Sequence, residues 1–150
     1  LFNQLLAARN FRTATGMMRQ LSFGAVDLAL HRSYKPHDDG SVIDFAYKIA
    51  SKFFPLTLPS DYAQIASFRH LFGGPIAYAA GYYSYKWAEV LEADAFSRFK
   101  NEGIFSASVG NAFRQTILAR GNSKDPMVLY TDFMGRQPDP DALFQRAGLV

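Results

Sequence analysis

The sequence predicts an all-α fold. Apolar residues recur at helical spacing through two long stretches, and proline, glycine and capping residues punctuate the chain at intervals that suit helices. No segment shows the strict alternation of a half-buried strand, and there is no internal repeat. At 150 residues with 49% apolar and 15% aromatic side chains, the chain can bury a real core and is not disordered.

Leu1 to Arg9 is a short apolar-periodic run that pauses at Asn10, read as the N-cap of the next element. From Phe11 to Arg32, a stripe of Phe11, Ala14, Met18, Leu21, Ala25 and Leu28 predicts a long helix packed on others. Tyr34 to Gly40 is a loop by composition. Ser41 then caps a helix over Val42–Phe54, which Pro55 and Pro59 stop. An irregular connection with a short helical turn near Asp61 leads to Gly73, Gly74 and Pro75, which break the chain after His70.

A second long helix is expected from about Ala79 to Lys100, apolar on most sides and therefore largely buried, with Gly103 as its stop. Shorter helices follow over Ser108–Arg120, Pro126–Met134 and Pro140–Arg146, the second with Asp125 as N-cap and Pro126 at the first helical position.

Composition also excludes function classes. Without cysteine there is no disulfide, thiolate metal site or cysteine nucleophile, which fits a reducing compartment. The net charge of +3 is spread along the chain, with no basic run to track phosphates, so no nucleic-acid partner is expected. No apolar run approaches the length needed to cross a bilayer, and neither a signal peptide nor a membrane partner is expected. Leu1 to Ala8 reads as helix interior, which leads to the expectation that the chain is cut from a longer one.

Chemistry concentrates in HLFGGPIAYAAGYYSYKW, His70 to Trp87, which holds one histidine, a Gly-Gly-Pro break and four tyrosines. His31, His37 and His70 include no pair four residues apart and there is no HExxH, so no metal is expected on this chain. Asp27 and His31 are four apart on a helix, where a hydrogen-bonded pair is the favoured reading over a metal site; His37-Asp38-Asp39 reads as a solvated loop. Ser84 lacks a nucleophile elbow, Gly73-Gly74 is too short for a phosphate loop, and Glu89 and Glu92 read as surface or ion-paired carboxylates in preference to an acid/base pair. Tyr78, Tyr82 and Tyr85 fall on one face of a helix that begins by Tyr78. Composition favours core aromatics; the adjacent histidine and glycines favour hydroxyls and an imidazole brought to a ligand.

The segment FRHLFGGPIAYAAGYYSYKWAEVLEADAFSRFKNEGIF resembles the C-terminal part of the thimet oligopeptidase and oligopeptidase A family of zinc metallopeptidases, which includes peptidyl-dipeptidases. The similarity runs on through FRQTILARGNSKDP and GRQPDPDALFQRAGL and back to LLAARNFRTATGMMRQLSFGAVDLALH, essentially the whole chain. The resemblance implies a two-lobed helical, channel-containing enzyme that hydrolyses short peptides in the cytoplasm. Its zinc would be held by an HExxH motif and a later glutamate upstream of the segment seen here.

On that basis residues 1–150 form a single C-terminal helical segment of a larger catalytic domain, inactive alone. Zinc would be bound in the intact parent and not by this segment. Partners would be short peptides and the remainder of the parent chain, with self-association of the segment as a further outcome.

Carried over by position, His70 matches the histidine that contacts substrate backbone and Tyr85 the tyrosine that hydrogen-bonds the tetrahedral intermediate. Tyr78 matches the tyrosine that closes over the peptide, and Gly73 and Gly74 the flexible loop; Tyr82 joins the substrate-binding set. Pro75 and Ile76 lengthen the loop by two residues over the family's usual spacing, and Ala77 stands where a glycine is common. His31, Trp87 and Arg120 match recurrent positions read as packing or ion pairing. The alternative is a free-standing helical peptide-binding module without metal.

Overall fold

The computed structural model describes residues 1–74 and 77–150, and among them the fold is all-α, with no strand. Pro75 and Ile76, to which the lengthened loop was ascribed, lie outside the described residues. The chain forms two compact units, Leu1–Lys86 and Trp87–Val150.

In the first unit α1 (Phe2–Asn10) buries none of its residues. Asn10 is the last residue of this helix and not the N-cap of the next. The chain turns through Arg12 at φ 58°, and the Thr13 hydroxyl donates to the Asn10 carbonyl at 2.7 Å. That carbonyl is one of the orphan acceptors at a helix end, so a nearby hydroxyl holds Asn10 at the terminus of α1.

Helix α2 (Thr13–Arg32) packs by a different face from the expected stripe: Met18, Leu21 and Leu28 are 39–40% exposed, whereas Ser22, Phe23, Gly24, Val26 and Asp27 are buried. Apolar residues occur around most of this helix, so periodicity does not select a face. Gly24 does: a Cβ there would stand 3.4 Å from the Cα of Tyr83, so the missing side chain lets a loop backbone lie against the helix.

Ser41 caps α3 (Val42–Ala50), its hydroxyl accepting the Ile43 N–H at 3.1 Å. A 3-10 turn, Ser51–Phe53, continues it, and Phe54 goes extended (φ −119°, ψ 135°) as the residue before a proline must. Helix α4 (Gln64–Ser67) and the 3-10 turn Arg69–Leu71 close the unit over one cluster of Phe23, Val26, Ala46, Ala50, Ile65, Phe68 and Leu71. Each larger member contributes about 2 kcal/mol by leaving water.

The second long helix, α5, spans Ser84–Glu102 and begins five residues later than the expected Ala79. Ala80 sits at φ 55°, outside the helical region, and its N–H and that of Tyr82 bind the Asp27 side chain instead of a preceding carbonyl. The helix is also not largely buried. Only Ala93 and Asp94 are, while Trp87 is 54% and Phe96 41% exposed. Its apolar residues go all the way round, and only the side bearing Ala93 and Asp94 is covered.

In the second unit Gly103 stops α5 at φ 113°, its N–H donating to the Phe99 carbonyl at 2.9 Å. The expected helix over Ser108–Arg120 divides into α6 (Ala107–Phe113), capped by Ser106, and a π-helical turn, Arg114–Leu118. Helix α7 (Pro126–Met134) has the predicted bounds, with Asp125 accepting the Met127 N–H at 2.8 Å, and ends at Gly135 in the left-handed region. Helix α8 spans Asp141–Arg146.

Phe99, Phe113 and Phe133 form the aromatic centre of this unit, with the Phe113 and Phe133 rings edge to face at 5.2 Å. Beside it the Asp94 carboxylate accepts from Tyr130 Oη at 2.6 Å, from the Asp139 N–H at 2.8 Å and from Arg136. Burial pushes the Asp94 carboxyl up, but the hydrogen bonds from Arg136, Tyr130 and the Asp139 N–H outweigh it and hold it at about 2.

Candidate functional site

The first unit brings the sequence-predicted residues together. Leu71, fully buried, pins the 3-10 turn Arg69–Leu71 to the core and leaves its neighbour His70 facing solvent. The chain departs through Gly73, where a Cβ would meet the Arg69 carbonyl oxygen at 3.0 Å, so tight that the carbonyl would have to give by a few tenths of an ångström. At Gly74 a Cβ would meet nothing within 4 Å among the described residues. The chain returns so that the Tyr78 N–H donates to the His70 carbonyl at 3.1 Å, and the two rings lie 6.0 Å apart.

From Tyr78 the backbone turns sharply, with the Gly81 N–H on the Tyr78 carbonyl at 2.8 Å and Ala80 in the left-handed region. Asp27, fully buried on α2, holds this turn: Oδ1 accepts the Ala80 N–H and Oδ2 the Tyr82 N–H, each at 2.9 Å. His31 Nδ1 lies 2.9 Å from Asp27 Oδ1 and 2.9 Å from the Asp27 carbonyl oxygen. Both are acceptors, so Nδ1 carries the proton. The Asp27–His31 spacing thus makes a hydrogen-bonded pair, as its favoured reading had it.

The three tyrosines diverge in role. Tyr82 faces the core, its ring 4.9 Å from Phe68 and 6.0 Å from Phe23, and its hydroxyl donates to Gln20 Oε1 at 2.9 Å. Burial raises its phenol pKa against the opposing charge of Arg19. Tyr85, in the first turn of α5, is 40% exposed. Its ring stacks on Tyr78 at 5.2 Å and lies 5.1 Å from Tyr82. Hydrogen bonding with Tyr78 raises the Tyr85 phenol above its ordinary value, with burial and the neighbouring Tyr78 and Tyr82 phenols adding in the same direction. Tyr85 is therefore a protonated hydrogen-bond donor at neutral pH.

The expected single helical face does not exist, because α5 starts after Tyr78 and Tyr82. The three rings meet all the same, brought together by the turn that Asp27 holds. Asp27 as its anchor and Gln20 as the Tyr82 acceptor were not singled out in the sequence. The only signal for Asp27 was a lone carboxylate in an apolar run, one helical turn before His31.

Among the described residues no three His, Asp or Glu side chains converge as a metal site would require. Glu92 pairs with Arg146 at the surface of the second unit. That unit also holds an apolar groove of about 540 Å³ between α5, the π-helical turn and α7, lined by residues such as Leu91, Phe96, Phe99 and Ile117. Its one phenol is Tyr130, and none of His70, Tyr78, Tyr82 and Tyr85 lines it.

Known peptidase sequences resemble this chain along nearly its whole length. The family model described as peptidase family M3 matches residues 1–149. The chain is 42% identical over 149 residues to oligopeptidase A of Escherichia coli, covering 99% of this chain and 22% of that protein. It is 44% identical over 148 residues to oligopeptidase A of Haemophilus influenzae, covering 98% and 21%. A dipeptidyl carboxypeptidase of Salmonella typhimurium is 33% identical over 140 residues, covering 93% and 20%. The chain thus spans about a fifth of the length of these relatives.

Proposed function

The chain belongs to peptidase family M3, and from that premise we propose that it is the substrate-binding, transition-state-stabilising C-terminal portion of a larger, zinc-dependent oligopeptidase that hydrolyses short peptides. The observation that carries this reading is the convergence of His70, Tyr78 and Tyr85 on one exposed aromatic cluster, with the Tyr85 phenol kept protonated.

Tyr85 acts by donating its hydroxyl hydrogen to the carbonyl oxygen of the scissile bond. That oxygen gains negative charge as the carbon becomes tetrahedral, so the bond strengthens in the transition state. His70, exposed beside Tyr78, hydrogen-bonds the peptide backbone. Tyr78 lies at the end of the loop that includes Gly73 and Gly74 and closes over the peptide. The Tyr82 ring, tilted against Tyr85 at 5.1 Å, buttresses it from the core side.

Zinc in this family supplies Lewis-acid activation of water and carbonyl. The residues described here do not fit a zinc ligand set: both Asp27 oxygens are bound by backbone N–H groups, and no third donor joins Asp27 and His31. We place the zinc ligands in the remainder of the larger enzyme, and the cytoplasm as its site of action. Among the described residues no helix is long and apolar enough to cross a membrane.

The test is Tyr85→Phe in the intact peptidase. Removing one donor to the developing oxyanion should lower kcat by about 100-fold with KM nearly unchanged. Unchanged turnover removes Tyr85 from the reaction. The 150-residue chain alone should hydrolyse no short peptide, and tight peptide binding by it would favour a binding module.

A further inference from the structure

We propose that Asp27 is a positioning residue for the tyrosine site: its buried carboxylate fixes the turn that aims the Tyr85 phenol and the Tyr78 ring. The inference rests on the reading of Tyr85 given above.

A carboxylate with no exposed surface is destabilising unless its lone pairs are satisfied. Asp27 has none of its surface in water, and its acceptors are used on the loop and on His31. It takes two amides from residues two apart, Ala80 and Tyr82, which can face one carboxylate because Ala80 adopts φ 55°. An L-residue rarely occupies that region unless its surroundings impose it.

The pair also touches the other end of the loop. His31, held by Asp27, stacks on Phe72 at 5.6 Å with the rings 26° apart. Phe72 directly precedes Gly73, and Ala80 follows Tyr78 by two residues. One buried carboxylate and its imidazole thus anchor the chain on both sides of the segment that carries Tyr78, and α5, with Tyr85 as its second residue, starts two residues beyond Tyr82. Neither Asp27 nor His31 is among the groups assigned to contact substrate, so their effect passes through the phenols.

Asp27→Asn tests this, because the amide keeps the shape but turns one acceptor into a donor facing an N–H. In the 150-residue chain, hydrogen exchange at the Ala80 and Tyr82 amides should accelerate at least about tenfold while α7 amides keep their protection. In the intact peptidase kcat should fall by about 100-fold with little change in KM. Combined with Tyr85→Phe, the loss should fall well short of the product of the two single losses, since the phenol that the anchor aims is already gone. Unchanged amide protection, or kcat losses that multiply, overturns the proposal.

If Tyr85→Phe alone leaves kcat intact while the amides lose protection, the site reading falls, and with it the role assigned to Asp27 in aiming the phenol. If Tyr85→Phe lowers kcat and Asp27→Asn does not, the positioning role falls and the reading of Tyr85 stands. Should Asp27→Asn fail to fold, His31→Phe keeps the ring against Phe72 and removes the nitrogen that pairs with Asp27. The same cycle with Tyr85→Phe then decides by the same criterion.

Discussion

Arg136 closes on Asp94 with both branches of its guanidinium, Nη1 at 2.7 Å from Oδ2 and Nη2 at 2.5 Å from Oδ1, although Asp94 is only 1% exposed. The fork matches the carboxylate geometrically, and Tyr130 and the Asp139 N–H fill the remaining acceptor positions. This is the electrostatic centre of the second unit, as Asp27 is of the first.

Arg136→Met should destabilise the chain by about 3 kcal/mol, because it leaves a buried carboxylate without its cation. Glu92→Gln, which breaks a surface pair with Arg146, should cost less than about 1 kcal/mol. Urea midpoints at constant m-value measure both. Equal losses would show that burial of Asp94 does not govern the value of its pair.

The same network sets a pH dependence. The Asp94 carboxyl is held at about 2 in the folded chain, below its ordinary value of 3.8, so folding favours the ionised form. Its contribution, about 2 kcal/mol, is fully present above the unfolded value and is lost as pH falls from about 5 through 2. Asp94→Asn should be less stable at neutral pH and should flatten stability over that acid window. A variant whose acid unfolding parallels the parent's would refute the assignment.

The tyrosines should separate by readout. Tyr82→Phe loses a hydrogen bond to Gln20 and should lower stability by about 1 kcal/mol with little effect on kcat in the intact peptidase. Tyr85→Phe should do the reverse. Tyr78→Phe removes the hydroxyl that holds the Tyr85 phenol high, so the Tyr85 titration, followed by ultraviolet difference absorbance, should move down toward the ordinary tyrosine value. No movement would mean that Tyr78 does not engage Tyr85.

Two glycines serve different needs. Gly103 has φ 113°, so Gly103→Ala should destabilise the end of α5 by about 1–2 kcal/mol. Gly73→Ala instead drives a methyl against the Arg69 carbonyl and should disturb His70 and Tyr78 locally, read as shifted ring resonances. Gly74→Ala, with open space among the described residues, should leave those resonances in place.

What could be read ahead of the structure divides by distance along the chain. Ser41, the Asp125-Pro126 pair and Gly103 mark helix ends through bonds to residues two to four away, and each stands where the sequence put it. The set His70, Tyr78 and Tyr85 was legible as a group because the residues lie close in sequence and match a family block. The start of α5 was not, because Ala80 leaves the helical region under the pull of Asp27, 53 residues earlier. The buried face of α2 was not, because Gly24 and Asp27, small and charged, outrank the larger apolar stripe at the interface. Arg136 and Asp94, 42 residues apart, share no local pattern at all.

The anchoring of Ala80 and Tyr82 by Asp27 has a kinetic consequence. These bonds close loops of 53 and 55 residues, an entropy cost of about 3–4 kcal/mol that no local contact offsets in advance. Helices α2 and α3 can pair across a short connection, whereas the tyrosine turn must wait for α2 to present its carboxylate. The aromatic cluster is therefore a late event in folding and an early one in local opening. A chain can be helical, compact and resistant to mild denaturant while its Tyr85 is not yet aimed at anything.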